Sequence, residues 1–178
     1  MNGKWYNFLF LFFGLLGFVF SLTLLFFCMR AVMDVGGYCA EGGPYQIEVH
    51  CPDGVAWMTP LSIFGLIIFG MMYFFNVTVN TFNFGYLFWS ALFGALGWNF
   101  LDYGMFSTDS WEYGWIICGV VFWLMAFGPF ALLVTLADEL PFSIKSISDN
   151  LFFKIVTTMI QLAAIAAGIW LGVIAFKL

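Results

Sequence analysis

Charge is scarce in this chain. Asp, Glu, Lys and Arg make up 8% of its 178 residues, where a soluble domain carries about 25%. Lys and Arg number 5 and the net charge is −5, so no basic patch can form and nucleic acid is excluded as a partner. Histidine occurs once, at His50, which excludes a multi-histidine metal centre. The spacings that carry common enzyme chemistry are missing: no C-x-x-C, no H-E-x-x-H, no G-x-S-x-G and no phosphate loop. These absences predict a non-enzymatic protein with no cofactor and no metal.

What is present is hydrocarbon. Hydrophobic residues reach 63% and mean hydropathy is +1.01, an excess of apolar surface whose natural solvent is lipid. A helix needs about 20 apolar residues to cross the bilayer core. Five runs qualify, at 5–29, 59–75, 84–103, 112–137 and 151–176. Fusing the second and third would give a helix about twice the length a bilayer needs. The polar, β-branched segment Asn76–Asn83 (NVTVNTFN) is therefore read as a tight loop. The first run is too long for the h-region of a signal peptide and no A-x-A site follows it. Phe27 stands before Cys28 where lipoprotein processing wants a small residue, so the run is expected to stay as an anchor. The predicted fold is an all-α integral membrane domain of five transmembrane helices, with a structured outer loop at 30–58.

With the N-terminus inside, Lys4, Lys145 and Lys154 fall on the inner side and Arg30 and Lys177 on the outer, a slight positive-inside bias. The same topology puts Asp34, Glu41, Glu48, Asp53, Asp102, Asp109 and Glu112 outside, as an acidic rim. A low-dielectric surround would focus that field on cations or a cationic peptide. Glu112 also suits the start of a helix, where the dipole favours an acid. Trp5, Trp57, Trp98, Trp111, Trp115 and Trp170 lie near predicted span ends, as an interfacial belt requires, while Trp89 and Trp123 lie deeper and are expected to pack between helices.

The 30–58 segment holds two of the four cysteines, Cys39 and Cys51. In an oxidising compartment paired loop cysteines form a disulfide, and closing a loop of this size stabilises by about 3 kcal/mol in the chain-entropy treatment. A rival metal site would use Cys39, His50 and Cys51. Adjacent His50 and Cys51 point to opposite faces of a strand, and zinc wants a fourth ligand. Tyr45, Ile47 and Val49 alternate with Gln46, Glu48 and His50 between the Gly42–Gly43–Pro44 and Pro52–Asp53–Gly54 turns, which predicts a short β element.

The string GGYCAEGGPYQI, followed by CPDGV and a proline-led span from Pro60, resembles a family of small uncharacterised bacterial polytopic membrane proteins. The resemblance covers roughly residues 30–70 and is most specific from Gly36 to Tyr45. It implies a bacterial cell-envelope setting and no particular activity. The spacing of the loop cysteines is also loosely similar to claudin-type proteins, but their Gly-Leu-Trp signature is replaced here by Gly37–Tyr38 before Cys39.

Within the spans, Gln161 shares a helix face with Ala164, Gly168 and Gly172. Small residues at that spacing let two helix backbones approach, either within the chain or between copies in a homo-oligomer. Gly128–Pro129 interrupts the fourth span and predicts a kink. The inner loop Asp138–Asn150 carries Pro141 as a helix stop, and Ser148 is placed to cap the fifth helix. Two functional expectations follow. The first is a cell-membrane protein whose outer loop and acidic rim recognise a protein or peptide, as an accessory subunit or in toxin protection. The alternative is a small oligomeric channel or transporter with an acidic outer mouth.

Overall fold

The computed structural model describes residues 5–40, 49–75, 87–107, 110–135 and 151–177. They form five helices: α1 (Trp5–Asp34), α2 (Val55–Phe75), α3 (Phe88–Asp102), α4 (Tyr113–Thr135) and α5 (Leu151–Lys177). A helix satisfies each backbone group within its own segment, which is what a chain needs where no water is available. Phe8–Asp34, Val55–Phe74 and Ile155–Lys177 are long and apolar enough to cross a membrane. In α4 the apolar helix Tyr113–Gly128 is shorter. The 15 residues of α3 rise about 22 Å, short of the roughly 30 Å core.

Several boundaries differ from the sequence expectation. The first helix runs past Met29 to Asp34. Arg30 does not end it, because its guanidinium meets Asp34 one turn on, at 3.5 Å. Gly36 ends it instead, with φ of +106°. The Gly36 N–H donates to Met33 O (3.0 Å) and the Gly37 N–H to Val32 O (2.9 Å), the paired bonds that close a helix on a left-handed glycine. The second helix starts at Val55, not Thr59, because the Pro52–Gly54 turn leads straight into it: the Val55 N–H donates to Pro52 O at 3.1 Å and the Met58 N–H to Gly54 O at 2.9 Å. Residues 84–86 lie outside the described residues, and α3 ends in one wider π turn, Tyr103–Ser107. The expected β element shows, among the described residues, only an isolated parallel bridge between Ala40 and His50. Tyr45, Ile47 and the inner loop Asp138–Asn150 with Ser148 lie outside them.

Among the described residues the outer surface is strongly apolar, and the interior adds polar side chains to a core that includes Leu11, Leu15, Phe18 and Phe88. Phe64, Ile68, Leu124, Met159 and Leu162 are exposed, while Ser21, Ser62, Asn99, Thr157 and Gln161 are buried. Apolar side chains outside and polar ones kept inside are what lipid as solvent selects.

The centre of the fold is α1. Gly14 lies against Tyr73 of α2. On the other side, Gly168 lies against Leu16 and Phe20, and Gly172 against Thr23 and Phe20 O. Along α3, Phe18 stacks on Phe88 at 3.7 Å and Phe26 O accepts from Asn99. In turn α3 packs on α4, where Gly97 and Gly119 face each other backbone to backbone. These pairings make α1, α3 and α5 run one way and α2 and α4 the other. The small-residue stripe of α5 is therefore used inside the chain: Ala164 and Gln161 are fully buried, and Gln161 Oε1 accepts the Tyr73 hydroxyl at 2.6 Å.

The fourth helix continues through Gly128–Pro129 to Thr135. Proline has no N–H to give the carbonyl four residues back, which leaves Met125 O without its helical donor. Trp89 Nε1 of α3 donates to that oxygen at 3.1 Å, and Ser90 Oγ to the next, Ala126 O, at 2.9 Å. The neighbouring helix thus supplies the bond that proline withholds, as membrane helices require. It also explains why Trp89 stays half exposed instead of packing wholly between helices.

Two outcomes are expected. A Cβ on Gly168 would lie 2.7 Å from Leu16 O, a backbone atom that cannot turn aside. Gly168→Val should cost about 1–3 kcal/mol, read as a lower thermal midpoint in detergent. Gly114→Ala, with open space around it, should leave that midpoint unchanged or slightly raised. Separately, Trp89→Phe should destabilise by about 1–3 kcal/mol, the cost of an orphaned carbonyl. Pro129→Ala restores the backbone donor, so a double-mutant cycle should show Trp89→Phe costing little in that background; strict additivity would refute the assignment.

Candidate functional site

The ends of α1, α3 and α5 and the starts of α2 and α4 gather at one end of the bundle, and the described chemistry concentrates there. Cys39 and Cys51 are joined by a disulfide, with Cα atoms 4.8 Å apart. The Ala40 N–H donates to Val49 O at 3.0 Å, so a backbone bond lies beside the covalent one. The disulfide consumes both thiols on which the metal reading depended. No group of three His, Cys, Asp or Glu side chains that could hold a metal ion occurs among the described residues. The remaining cysteines are free: Cys28 is buried and Cys118 exposed.

Arg30 is the organising charge at this end. Its Nη1 donates to Asp102 Oδ2 at 2.5 Å and its Nη2 to Ser107 Oγ. Its Nε faces Asp34, and its guanidinium lies 5.5 Å from the Tyr103 ring centroid. A planar guanidinium can serve three side-chain oxygens through its fork of donors while it lies over an aromatic ring. The wide turn at Tyr103–Ser107 brings both Tyr103 and Ser107 to this fork. One turn deeper, Asn99 Nδ2 donates to Phe26 O at 3.0 Å, while the buried Asn99 Oδ1 has no hydrogen-bond partner among the described residues.

The predicted acidic rim is thereby divided. Asp34 and Asp102 are drawn onto Arg30. Asp53 and Glu112 are exposed and have no ion pair among the described residues. Glu112 sits just before α4, where its carbonyl accepts from Trp115 N–H (3.1 Å) and Ile116 N–H (3.2 Å). Glu41, Glu48 and Asp109 lie outside the described residues. The structure does not bring Gln161, Ala164, Gly168 and Gly172 or Gly128 and Pro129 to this end: the first four pack α5 on its neighbours farther along the bundle, and Gly128 has open space around it.

Sequence reasoning missed Arg30 and an aromatic group. Tyr38 and Trp57 from the flanks of the clamped loop, and Phe106, Trp111 and Tyr113 from the α3–α4 connection, are each 58–70% exposed. The two connections meet, because Trp115 of α4 lies beneath Gly37. The signal for Arg30 was present, since it directly follows the long apolar run 5–29, but its partner Asp102 lies 72 positions away.

No family model, curated protein or solved structure matches this chain. Its chemistry therefore rests on its own residues.

The Arg30–Asp102 pair is partly buried, with side chains 24% and 34% exposed. Its loss should fall between the roughly 0–1 kcal/mol of an exposed pair and the roughly 3–5 kcal/mol of breaking a buried one. Arg30→Met and Asp102→Asn should each lower thermal stability, and the double variant should lose less than their sum. Simple addition would show that the two side chains do not act together.

Proposed function

We propose that the chain is a five-span protein of a bacterial cell membrane, with its N-terminus inside and its clamped loop outside. In this reading the loop end recognises a protein or peptide partner, as an accessory subunit or in protection against a membrane-active toxin, without catalysis. The observation that carries the reading is the contact of Gly37 with Trp115, which makes one surface of the clamped loop and the α3–α4 connection. Tyr and Trp are the side chains from which protein interfaces draw most of their energy, since they offer large rigid area and a polar tip. Here Tyr38, Trp57, Trp111 and Tyr113 stand exposed beside the carboxylates of Asp53 and Glu112. A partner carrying basic groups fits that mixture. The disulfide supports the reading because it lowers the ordering cost that a loose loop would carry into binding. The alternating helix directions support the topology.

A photo-crosslinking amino acid placed at Tyr38 or Trp111 in native membranes should form a discrete protein adduct. The same probe at lipid-facing Phe64 should not, and Asp53→Lys combined with Glu112→Lys should weaken the adducts. Equal crosslinking at Phe64, or no adduct at the loop end, would refute the reading.

A further inference from the structure

Two of the helices beside α1, α3 and α5, leave a cleft between them, of about 560 Å³, within the range of small-molecule sites of roughly 300–1,000 Å³. Its inner end is formed by Leu15 and the stacked pair Phe18 and Phe88. Ala91 and Ala95 keep the α3 wall low, and Ile165, Ile169 and Val173 form the α5 wall. The one hydroxyl in the lining is that of Thr23, and it is already donated to Val19 O at 2.8 Å. The walls therefore present no donor to a polar solute, and an apolar occupant is the one they can hold.

Length selects among apolar occupants. The cleft follows α1 from Leu15 to Phe27, about 18 Å at 1.5 Å per residue. A partner helix crossing the bilayer would need a seat along the full core of about 30 Å, whereas one leaflet offers about half of that. The dimension is that of a single acyl chain.

Charge supplies the headgroup. The α5 wall residues recur every fourth position, and the next in the series after Val173 is Lys177, in the last turn of α5. Phe176 beside it stacks on Phe27, a lining residue, at 5.2 Å. Lys177 is exposed and has no ion pair among the described residues. A lysine in that place extends its ammonium into the headgroup layer while its stem stays on apolar surface. We infer that the cleft between α1, α3 and α5 binds one acyl chain of an anionic glycerophospholipid from the loop-side leaflet, with the lipid phosphate held by Lys177. This site is independent of the partner surface proposed above.

The test uses the full chain reconstituted in bilayer discs of equal parts phosphatidylglycerol and phosphatidylcholine, then moved to mild detergent for native mass spectrometry. One retained phospholipid per chain is expected, with phosphatidylglycerol preferred. Ala95→Phe should fill the cleft and abolish retention. Lys177→Gln should keep a lipid but lower the phosphatidylglycerol preference about fivefold, the equivalent of the roughly 1 kcal/mol that one lysine contributes near an anionic surface. A folded Ala95→Phe protein that retains the same lipid overturns the inference. So does a wild-type dimer that Ala95→Phe converts to monomer, which would assign the cleft to a second copy. Should Ala95→Phe fail to fold, Lys177→Gln decides alone: an unchanged lipid preference overturns the inference.

Discussion

A polar group at membrane depth must find its partner inside the protein, and here most of the partners meet at α1. Asn99 reaches the Phe26 carbonyl, Arg30 gathers Asp102 and Ser107, and Gly168 and Gly172 let α5 lie directly on the α1 backbone. None of these contacts is strong by the standards of an aqueous core, because lipid removes the hydrophobic drive between helices. Close approach and satisfied hydrogen bonds carry the association instead. The same rule accounts for the Trp89 bond to Met125 O, where a side chain repairs what a proline leaves open.

Because α1 is shared, the loop end and the interior are coupled. Arg30 ties α1 to the end of α3, only one turn from Phe26 and Phe27 in the wall of the apolar cleft. Among the described residues, the α3–α4 hairpin meets α1 mainly through α3 and the π turn that follows it. Its position against α1 therefore depends on a few contacts: the Phe18–Phe88 stack, the Asn99 bond and the Arg30 fork. At the surface, the same hairpin supplies Trp115 beneath Gly37.

Much of this was legible in the residues. The helices fall on the long apolar runs because composition alone forces helix where water is absent. Cys39 and Cys51 stood in the single long polar segment, and their pairing followed from that placement. Gln161, Ala164, Gly168 and Gly172 announced a packing face by their spacing. The end of α1 and the start of α2 were misjudged because a change in hydropathy was taken as a helix boundary. Helices end where backbone geometry changes, at Gly36, and begin where a turn delivers the first bonds, at Pro52–Gly54. The grouping of the acidic rim was illegible for a different reason: Arg30 was placed on the same side as seven carboxylates, but nothing in the residues said that Asp34 and Asp102 would be its partners.

The sequence by itself determined the solvent, the helical class and the covalent clamp, since each depends on residue type and local spacing. Only the tertiary structure decided that the glycine stripe of α5 seats on α1, that Arg30 belongs to Asp102, and that α3 and α5 stand apart over an apolar cleft. Those facts join residues far apart in the chain, and periodicity along one helix carries no information about which neighbour its face will meet.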